Sequence, residues 1–221
     1  VWPTQKEQVQ QLVMYCRRTS HTLTVRGAGT STYGGAVPMD AMVVDMSKMK
    51  KILDMGSDWV KVQAGVVLSD LNRFLRRKNK IFPLQPLEYS VCTIGGMIAT
   101  NTSGLNSYYG RMEDWVLELE VIDGAGRTYT TSSATMKDFI GTEGSMGIII
   151  AAKLKIFPQP IEKTASIVTF NTISSMMGRV EQIEKNPHIL GITYFDEKTS
   201  ALLDVGQSLH IIVEYDDDSG I

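Results

Sequence analysis

The residues between Val25 and Pro38 carry the strongest chemical signal in this sequence. A short apolar run, residues 23–25, leads into a loop that has glycine at positions 27 and 29 and hydroxyl side chains at positions 30 and 31. Because glycine lacks a side chain, backbone N–H groups in such a loop can turn toward one point and bind an anion such as a pyrophosphate. The loop therefore predicts a phosphate-binding site.

This loop does not have the pattern of a Rossmann dinucleotide site. The third glycine of the Rossmann G-x-G-x-x-G motif would fall at position 32, which is Thr32. Gly34, Gly35 and Pro38 also interrupt the helix that should follow such a motif. The phosphate site must therefore belong to another kind of fold.

Glycine-rich segments recur at residues 26–35, 93–104, 109–110 and 141–147. Each of them alone is typical of an ordinary turn between strands. Four such segments within about 120 residues are better explained by a long ligand that lies against bare backbone, since glycine permits close approach.

The composition excludes several classes of protein. The chain has 221 residues and a net charge of −2, so nucleic acid is not an expected partner. No apolar run approaches the roughly 20 residues that span a bilayer, which predicts no membrane span. Cys16 and Cys92 are not in a C-x-x-C pair, and reduced thiols in a cytoplasmic protein, soluble or peripheral to a membrane, are the interpretation we prefer. The three histidines are not at metal-ligand spacing, so no metal site is expected.

The elements that position the glycine segments follow from the hydrophobic pattern. Thr4 and Glu7 indicate a capping box for a helix that ends near Arg18. A second, amphipathic helix is predicted over residues 68–78, with Leu71, Phe74 and Leu75 inward. Residues 47–53 indicate a turn or a short helix. Strands are predicted at residues 22–25, 41–46, 59–63, 115–123, 127–131 and 147–157.

The pattern changes after Pro158 and Pro160, which mark a domain boundary. Beyond them strands at residues 164–170, 190–195 and 208–215 alternate with helices at 173–185 and 197–203. This alternation predicts an open α+β layer. We expect residues 161–221 to be the first part of a longer domain, because an unpaired edge strand seldom ends one.

Four motifs give the sequence a close resemblance to the FAD-linked oxidases of the vanillyl-alcohol-oxidase/PCMH superfamily. They are the loop at residues 26–38, the segment at 93–104, the pair Tyr109-Gly110 and the segment at 139–148, in the family's order and spacing. The sequence is most similar to the branch that contains D-lactate dehydrogenase and the glycolate oxidase D-subunit. The resemblance implies an α+β fold: a PCMH-type FAD-binding domain of two α+β subdomains over residues 1–160, then the start of an α+β cap domain over residues 161–221.

The resemblance also implies which residues hold FAD. The pyrophosphate is assigned to the first loop, at Arg26, Gly27, Ala28, Gly29, Thr30, Ser31 and Gly35. The flavin and ribityl region is assigned to Pro86, Thr93, Gly95, Gly96, Ala99 and Ser103, with Gly110 close to the cofactor. The nucleotide end is assigned to Glu143, Ile148 and Ile149.

One departure from the family concerns the bond to the flavin. Covalent relatives often carry a flavin-linking histidine at the position of Thr30, and threonine cannot form that bond. Cys92 is a conceivable thioether partner, although a small core thiol is the simpler interpretation. The prediction is therefore non-covalent FAD.

The resemblance implies an FAD-dependent enzyme that oxidises a 2-hydroxy acid of the D-lactate or glycolate type to the 2-oxo acid. A quinone, a cytochrome, a partner protein or oxygen would accept the electrons. Two alternatives stay open: a non-catalytic FAD-binding subunit or fragment of a multi-subunit oxidase, and the same fold acting on an alditol, a phenol or a sugar lactone. The relatives' base and carboxylate clamp come largely from the cap domain, so the residues of this chain predict no catalytic side chain.

Overall fold

The computed structural model describes residues 1–159, 163–186 and 188–216, and the chain forms two compact units. The first unit comprises Val1–Thr102 and Arg111–Gln159. The second comprises Ser103–Gly110 and the described part of Pro160–Ile221. The predicted boundary after Pro160 lies outside the described residues and stays a prediction. The eight-residue segment that leaves the first unit and returns to it was not predicted.

The structure contains both α-helices and β-strands, which confirms the predicted α+β class. In the first unit they are, in chain order, α1 Lys6–Thr19, β1 Thr22–Arg26, β2 Ala41–Asp45, β3 Ile52–Met55, β4 Trp59–Gln63, α2 Leu68–Arg76, β5 Lys80–Ile81, α3 Ile94–Ala99, β6 Val116–Ile122, β7 Thr128–Thr130, α4 Ser133–Met136, β8 Ile148–Lys155 and β9 Phe157–Pro158. Two 3₁₀ turns, Met46–Lys48 and Met112–Asp114, complete the unit.

Three sheets organise the first unit. β1 and β2 form a parallel pair in which Thr22 lies opposite Ala41. A five-stranded antiparallel sheet has the order β3-β4-β8-β6-β7, and β5 pairs with β9. β8 lies at the centre of the large sheet, and its residues 148–152 are all buried, as expected for an apolar run with neighbours on both sides.

α1 begins one residue later than the sequence predicts. The side-chain oxygen Oε1 of Gln8 accepts hydrogen bonds from the backbone N–H groups of Thr4, at 2.7 Å, and Gln5, at 3.3 Å. Gln5 therefore holds the N-cap position, and the predicted capping box of Thr4 and Glu7 is wrong. The long glutamine side chain reaches both free N–H groups, which makes a Thr4 cap unnecessary.

α2 has the predicted amphipathic character. Leu71 and Leu75 are fully buried, whereas Phe74 is only half-buried. Asn72 is also fully buried, and its amide forms two hydrogen bonds with the backbone of Phe82: its Oδ1 accepts from the N–H at 2.8 Å and its Nδ2 donates to the carbonyl at 3.0 Å. This side chain fixes the segment after β5 to the helix.

Two stretches differ from the predicted pattern. Residues 47–53, predicted as a turn or short helix, contain the end of a 3₁₀ turn and then the start of β3. Residues 93–104, for which the sequence predicts a glycine-rich segment and no helix, contain the helix α3. Glycine weakens a helix by about 1 kcal/mol per residue, but burial of Ile94, Met97 and Ile98 offsets that cost.

The second unit is a three-stranded antiparallel sheet with helices. Its elements are the 3₁₀ turn Ser107–Tyr109, β10 Thr164–Phe170, α5 Ile173–Ile183, β11 Ile189–Phe195, α6 Glu197–Leu202 and β12 Leu209–Tyr215. The strand order is β10-β12-β11. Met176 and Ile183 of α5 are buried in one cluster with Ile211 and Val213 of β12. All five elements beyond Pro160 agree with the predicted ones to within two residues.

Candidate functional site

The first glycine loop follows β1, and its backbone donors are available to a ligand. The N–H groups of residues 28–31 donate no hydrogen bond to any other part of the chain that the structure describes. Gly29 has a φ of +73°, a conformation in which successive N–H groups can point to one side. Such a loop can surround an anion with backbone donors, as the sequence predicts.

Arg26 folds back over this loop. Its guanidinium donates to the carbonyl of Ala28 at 3.4 Å, and a Cβ on Gly29 would lie 2.6 Å from its Nε. Asp45, its neighbour on β2, has a lowered pKa. Burial alone would raise the pKa of that carboxyl, but hydrogen bonds from Ser47 and the charge of Arg26 outweigh this effect, so the pKa of Asp45 is lowered. The loop thus receives a fixed positive charge at its base.

The second segment lies directly against the first. A Cβ on Gly27 would overlap the Thr93 hydroxyl, so only glycine fits there without a shift. The same hydroxyl accepts a hydrogen bond from the Gly96 N–H at 3.3 Å and caps α3. Thr93 is 97% buried. It therefore joins the phosphate loop to the first turn of α3.

α3 packs closely on the end of β4. The N–H of Gly95 donates to the carbonyl of Ala64 at 2.7 Å, and a Cβ on Gly95 would lie 2.7 Å from the Cβ of Ala64. This contact explains why a short helix contains consecutive glycines: a larger residue would push the helix off the sheet.

The fourth segment docks on the carboxyl end of α3. The N–H of Gly141 donates to Ile98 O at 3.0 Å and the N–H of Glu143 donates to Ala99 O at 2.8 Å. Glu143 has a φ of +53°, which is unusual for a residue with a side chain. Its carboxylate reaches Gly35 in the first loop. Three of the four glycine segments therefore meet in the first unit.

A cleft open to solvent lies where these segments meet, and the empty space within it and at its mouth is about 420 Å³. Seven of the predicted cofactor residues line it: Gly27, Thr93, Gly95, Gly96, Ala99, Glu143 and Ile149. The sequence missed five others, which are Val25, Met46, Ala64, Gly144 and Gly147. Gly144 and Gly147 belong to the glycine segment at residues 141–147. Met46 and Ala64 directly follow β2 and β4, and neither belongs to a sequence motif that predicts cofactor binding.

The remaining predicted residues lie elsewhere. Six of them belong to the first loop but do not line the cleft: Arg26, Ala28, Gly29, Thr30, Ser31 and Gly35. Pro86 and Ile148 are buried. Ser103 and Gly110 belong to the second unit.

The lining fits a long cofactor with a polar tail better than it fits a metal. Most of the lining residues are glycine or apolar. No group of three or more histidine, cysteine, aspartate or glutamate side chains that could hold a metal ion occurs within the described ranges. Two glycines with no space for a Cβ, beside free loop N–H groups, form the kind of cradle that the backbone offers to a dinucleotide.

Neither Thr30 nor Cys92 offers a reactive group to a flavin. The Thr30 side chain carries a hydroxyl and does not line the cleft. Cys92 is 95% buried and does not line the cleft. Burial, together with the charge of Glu88, raises the pKa of the Cys92 thiol to about 11, so it is protonated at neutral pH. Cys16 is likewise a buried free thiol.

The second unit carries its own buried polar groups. The ring of His210 is 96% buried, with Nδ1 2.9 Å from both Ser200 Oγ and the carbonyl of Ser208. His188 Nδ1 lies 2.6 Å from an Asp216 carboxylate oxygen. Asn106 packs against Gly191, and no described residue accepts a hydrogen bond from its buried Nδ2. The hydrogen bonds of His210 and the contact between His188 and Asp216 stabilise the unit, whereas the Asn106 Nδ2, without an acceptor among the described residues, does not.

Among the described residues, no helix has the length and apolar character needed to cross a membrane.

Comparison with known proteins gives a consistent result. Residues 1–132 match the family described as "FAD binding domain". The D-lactate dehydrogenase of Archaeoglobus fulgidus is 29% identical over 210 residues, which cover 90% of this chain and 47% of that protein. The glycolate oxidase subunit GlcD of Bacillus subtilis is 29% identical over 194 residues, or 82% of this chain and 41% of that protein. The chain thus spans less than half the length of these relatives.

A solved structure shows the same fold. The alkyldihydroxyacetonephosphate synthase structure superposes on 98% of this chain and 49% of its own, with a TM-score of 0.86 and 22% identity.

Proposed function

The chain belongs to the FAD-linked oxidases with a PCMH-type FAD binding domain, and we propose that this protein uses FAD to oxidise a 2-hydroxy acid to the 2-oxo acid. The observation that carries the proposal is that three glycine segments converge on one cleft. One of these segments, the first loop, has free backbone N–H donors. When bound there, FAD supplies the acceptor for the hydride that leaves Cα of the substrate.

The residues of the cleft and of the adjoining first loop have separate roles in this proposal. The N–H groups of residues 28–31 bind the pyrophosphate, and the charge of Arg26 stabilises that end of the site. α3 presents Gly95, Gly96 and Ala99 to the flavin. None of these residues has a large side chain, so the flavin ring can approach the helix backbone closely. Glu143 lies at the nucleotide end, where a carboxylate can accept hydrogen bonds from ribose hydroxyls.

We propose that the flavin is held without a covalent bond. Thr30 stands where covalent relatives often have histidine, and the Cys92 thiol is buried and protonated. Burial of the isoalloxazine against α3 and binding of the pyrophosphate by the loop would then provide the affinity.

The substrate class rests on the relatives. Their names specify D-lactate, glycolate and D-2-hydroxyglutarate, which share a carboxylate next to a hydroxyl-bearing carbon. We propose that residues 1–160 bind FAD and that residues 161–221 begin the domain that binds the substrate carboxylate. Because the oxidation releases two electrons, the protein also needs an acceptor: a quinone, a cytochrome, a partner protein or oxygen. Two buried free thiols favour a reducing compartment, the cytoplasm.

Anaerobic reduction tests the proposal. The FAD-loaded protein is mixed under argon with D-lactate, glycolate or D-2-hydroxyglutarate, and the visible absorbance of the flavin is followed. We expect at least one of these acids to bleach it and L-lactate to leave it unchanged. Bleaching by an alditol, a phenol or a sugar lactone, with none by the acids, would contradict the proposed substrate class. Retention of FAD without bleaching by any of these compounds would indicate an FAD-binding subunit without catalysis.

A further inference from the structure

Asn101, which lies outside the predicted site, ties two segments of the first unit together. Its Nδ2 donates to the Glu113 carboxylate at 3.0 Å, and its Oδ1 accepts from the Glu113 N–H at 3.1 Å. The N–H of Met112 donates to the carbonyl of Thr102 at 3.0 Å. These three hydrogen bonds, here called the Asn101–Glu113 staple, connect residues 101–102 to residues 112–113.

The staple lies next to the residues that line the cleft. Asn101 follows α3 by two positions, and α3 carries Gly95, Gly96 and Ala99 of the lining. Asn101 is also close to the fourth segment, because a Cβ on Gly141 would lie 3.3 Å from its Cβ. A shift of Asn101 would therefore move both the end of α3 and the segment that docks on it.

The backbone conformation of Asn101 limits which residues can occupy this position. Its φ is +47°, in the left-handed region that asparagine and glycine tolerate better than other residues. Only asparagine combines that tolerance with one donor and one acceptor on the same short side chain. Aspartate would place a carboxylate against Glu113, and glycine would lose both side-chain hydrogen bonds.

The staple also closes the base of the segment Ser103–Gly110. The chain leaves the first unit after Thr102 and re-enters it at Arg111, so the stapled residues lie at both ends of this segment. The segment holds two of the predicted flavin residues, Ser103 and Gly110. Thr102, just before the segment, also bonds to α3 directly, because its N–H donates to the Met97 carbonyl at 2.9 Å. The staple adds the link from residues 101–102 to residues 112–113, just after the segment.

We propose that Asn101 is a positioning residue for FAD: through Glu113 it holds the carboxyl end of α3 in the conformation that the flavin requires, and it keeps together residues 102 and 112, which flank the segment Ser103–Gly110. The proposal rests on the assignment of FAD to the cleft. It predicts that loss of the hydrogen bonds between Asn101 and Glu113 weakens FAD binding, although neither side chain lines the cleft.

A charge-exchange pair of variants provides the test. N101D replaces the donating amide with a carboxylate that repels Glu113, and we expect the FAD dissociation constant to rise about tenfold. In N101D/E113Q the glutamine amide donates to the new carboxylate, and we expect affinity to return to about the wild-type value. E113Q alone serves as the control, because the glutamine oxygen can still accept from Asn101.

N101G provides a second measurement that does not depend on charge. Glycine adopts a φ of +47° without strain, so the variant keeps the backbone and loses the two side-chain hydrogen bonds. We expect weaker FAD binding and more rapid hydrogen exchange in residues 103–110, while the melting temperature of the FAD-free chain changes little.

Three results would overturn the proposal: unchanged FAD affinity in N101D and N101G, a double variant as weak as N101D, or affinity losses that only follow the melting temperature. If the wild-type chain takes up no FAD, the assignment of the cleft itself fails. The exchange rates of residues 103–110 then decide separately whether the staple orders this segment.

Discussion

At the scale of single residues, the site depends on places where a side chain is missing. Gly27 has room for no Cβ because the Thr93 hydroxyl occupies that position, and Gly95 is similarly limited by Ala64. Gly29 in the first loop and Glu143 in the fourth segment both adopt left-handed backbone conformations. Close contacts of the backbone at Gly27 and Gly95 therefore determine the shape of the site. They are possible because the residues there are small.

Gly27→Ala tests this view directly. The added methyl group overlaps Thr93 Oγ1, so either the loop or α3 must move, and we expect the FAD dissociation constant to rise at least about tenfold. Titration of the FAD-free protein with FAD, followed by quenching of flavin fluorescence, measures the effect.

Gly124→Ala is the matched control, since nothing lies within 4 Å of a Cβ at that hairpin position. It should bind FAD as the wild type does. Equal affinity of the two variants would show that the contact between Gly27 and Thr93 does not shape the cofactor site.

At the scale of elements, helices and strands are held in place by a few hydrogen bonds between side chain and backbone. Asn72 joins α2 to the segment after β5, and Asn101 joins the end of α3 to residues 112–113. Each asparagine joins two segments that do not belong to the same helix or strand. These hydrogen bonds therefore fix the position of one segment relative to the other.

Asn72→Ala should destabilise the first unit. The change leaves the buried N–H and carbonyl of Phe82 without partners, which costs about 2–4 kcal/mol in the free energy of unfolding. Thermal or urea unfolding of the FAD-free chain measures this loss. Arg76→Ala, an exposed change on the same helix, should shift stability by less than about 0.5 kcal/mol. Similar losses for the two variants would mean that the Asn72 contacts do not stabilise the fold.

The same elements show what the sequence could and could not predict. Alternating and 3.6-residue patterns identified the strands and helices beyond Pro160 to within two residues, because those elements bury one regular face. α3 was missed because its glycines lower helix propensity, and the burial of Ile94, Met97 and Ile98 depends on contacts distant in sequence. The Gln5–Gln8 cap was missed because helix N-caps are usually formed by shorter side chains, such as serine, threonine, asparagine and aspartate.

At the scale of the whole molecule, two units share one chain that crosses between them more than once. The recognised motifs predicted seven lining residues of the cleft, and Met46 and Ala64 were missed because only folding brings strand ends to a site. The segment Ser103–Gly110 was also not predicted as part of the second unit, since its composition resembles the glycine segments of the first. The pattern of residues thus predicted part of the lining of this cleft, whereas the division of the chain into units required the structure.

The central claim is that the glycine segments bind FAD and hold it without a covalent bond. Purified chain saturated with FAD, freed of excess cofactor and precipitated with acid, gives the most direct measurement. We predict about one FAD for each chain before precipitation and all of the flavin in the supernatant afterwards. A chain that retains no FAD, or a precipitate that stays yellow, would contradict the account.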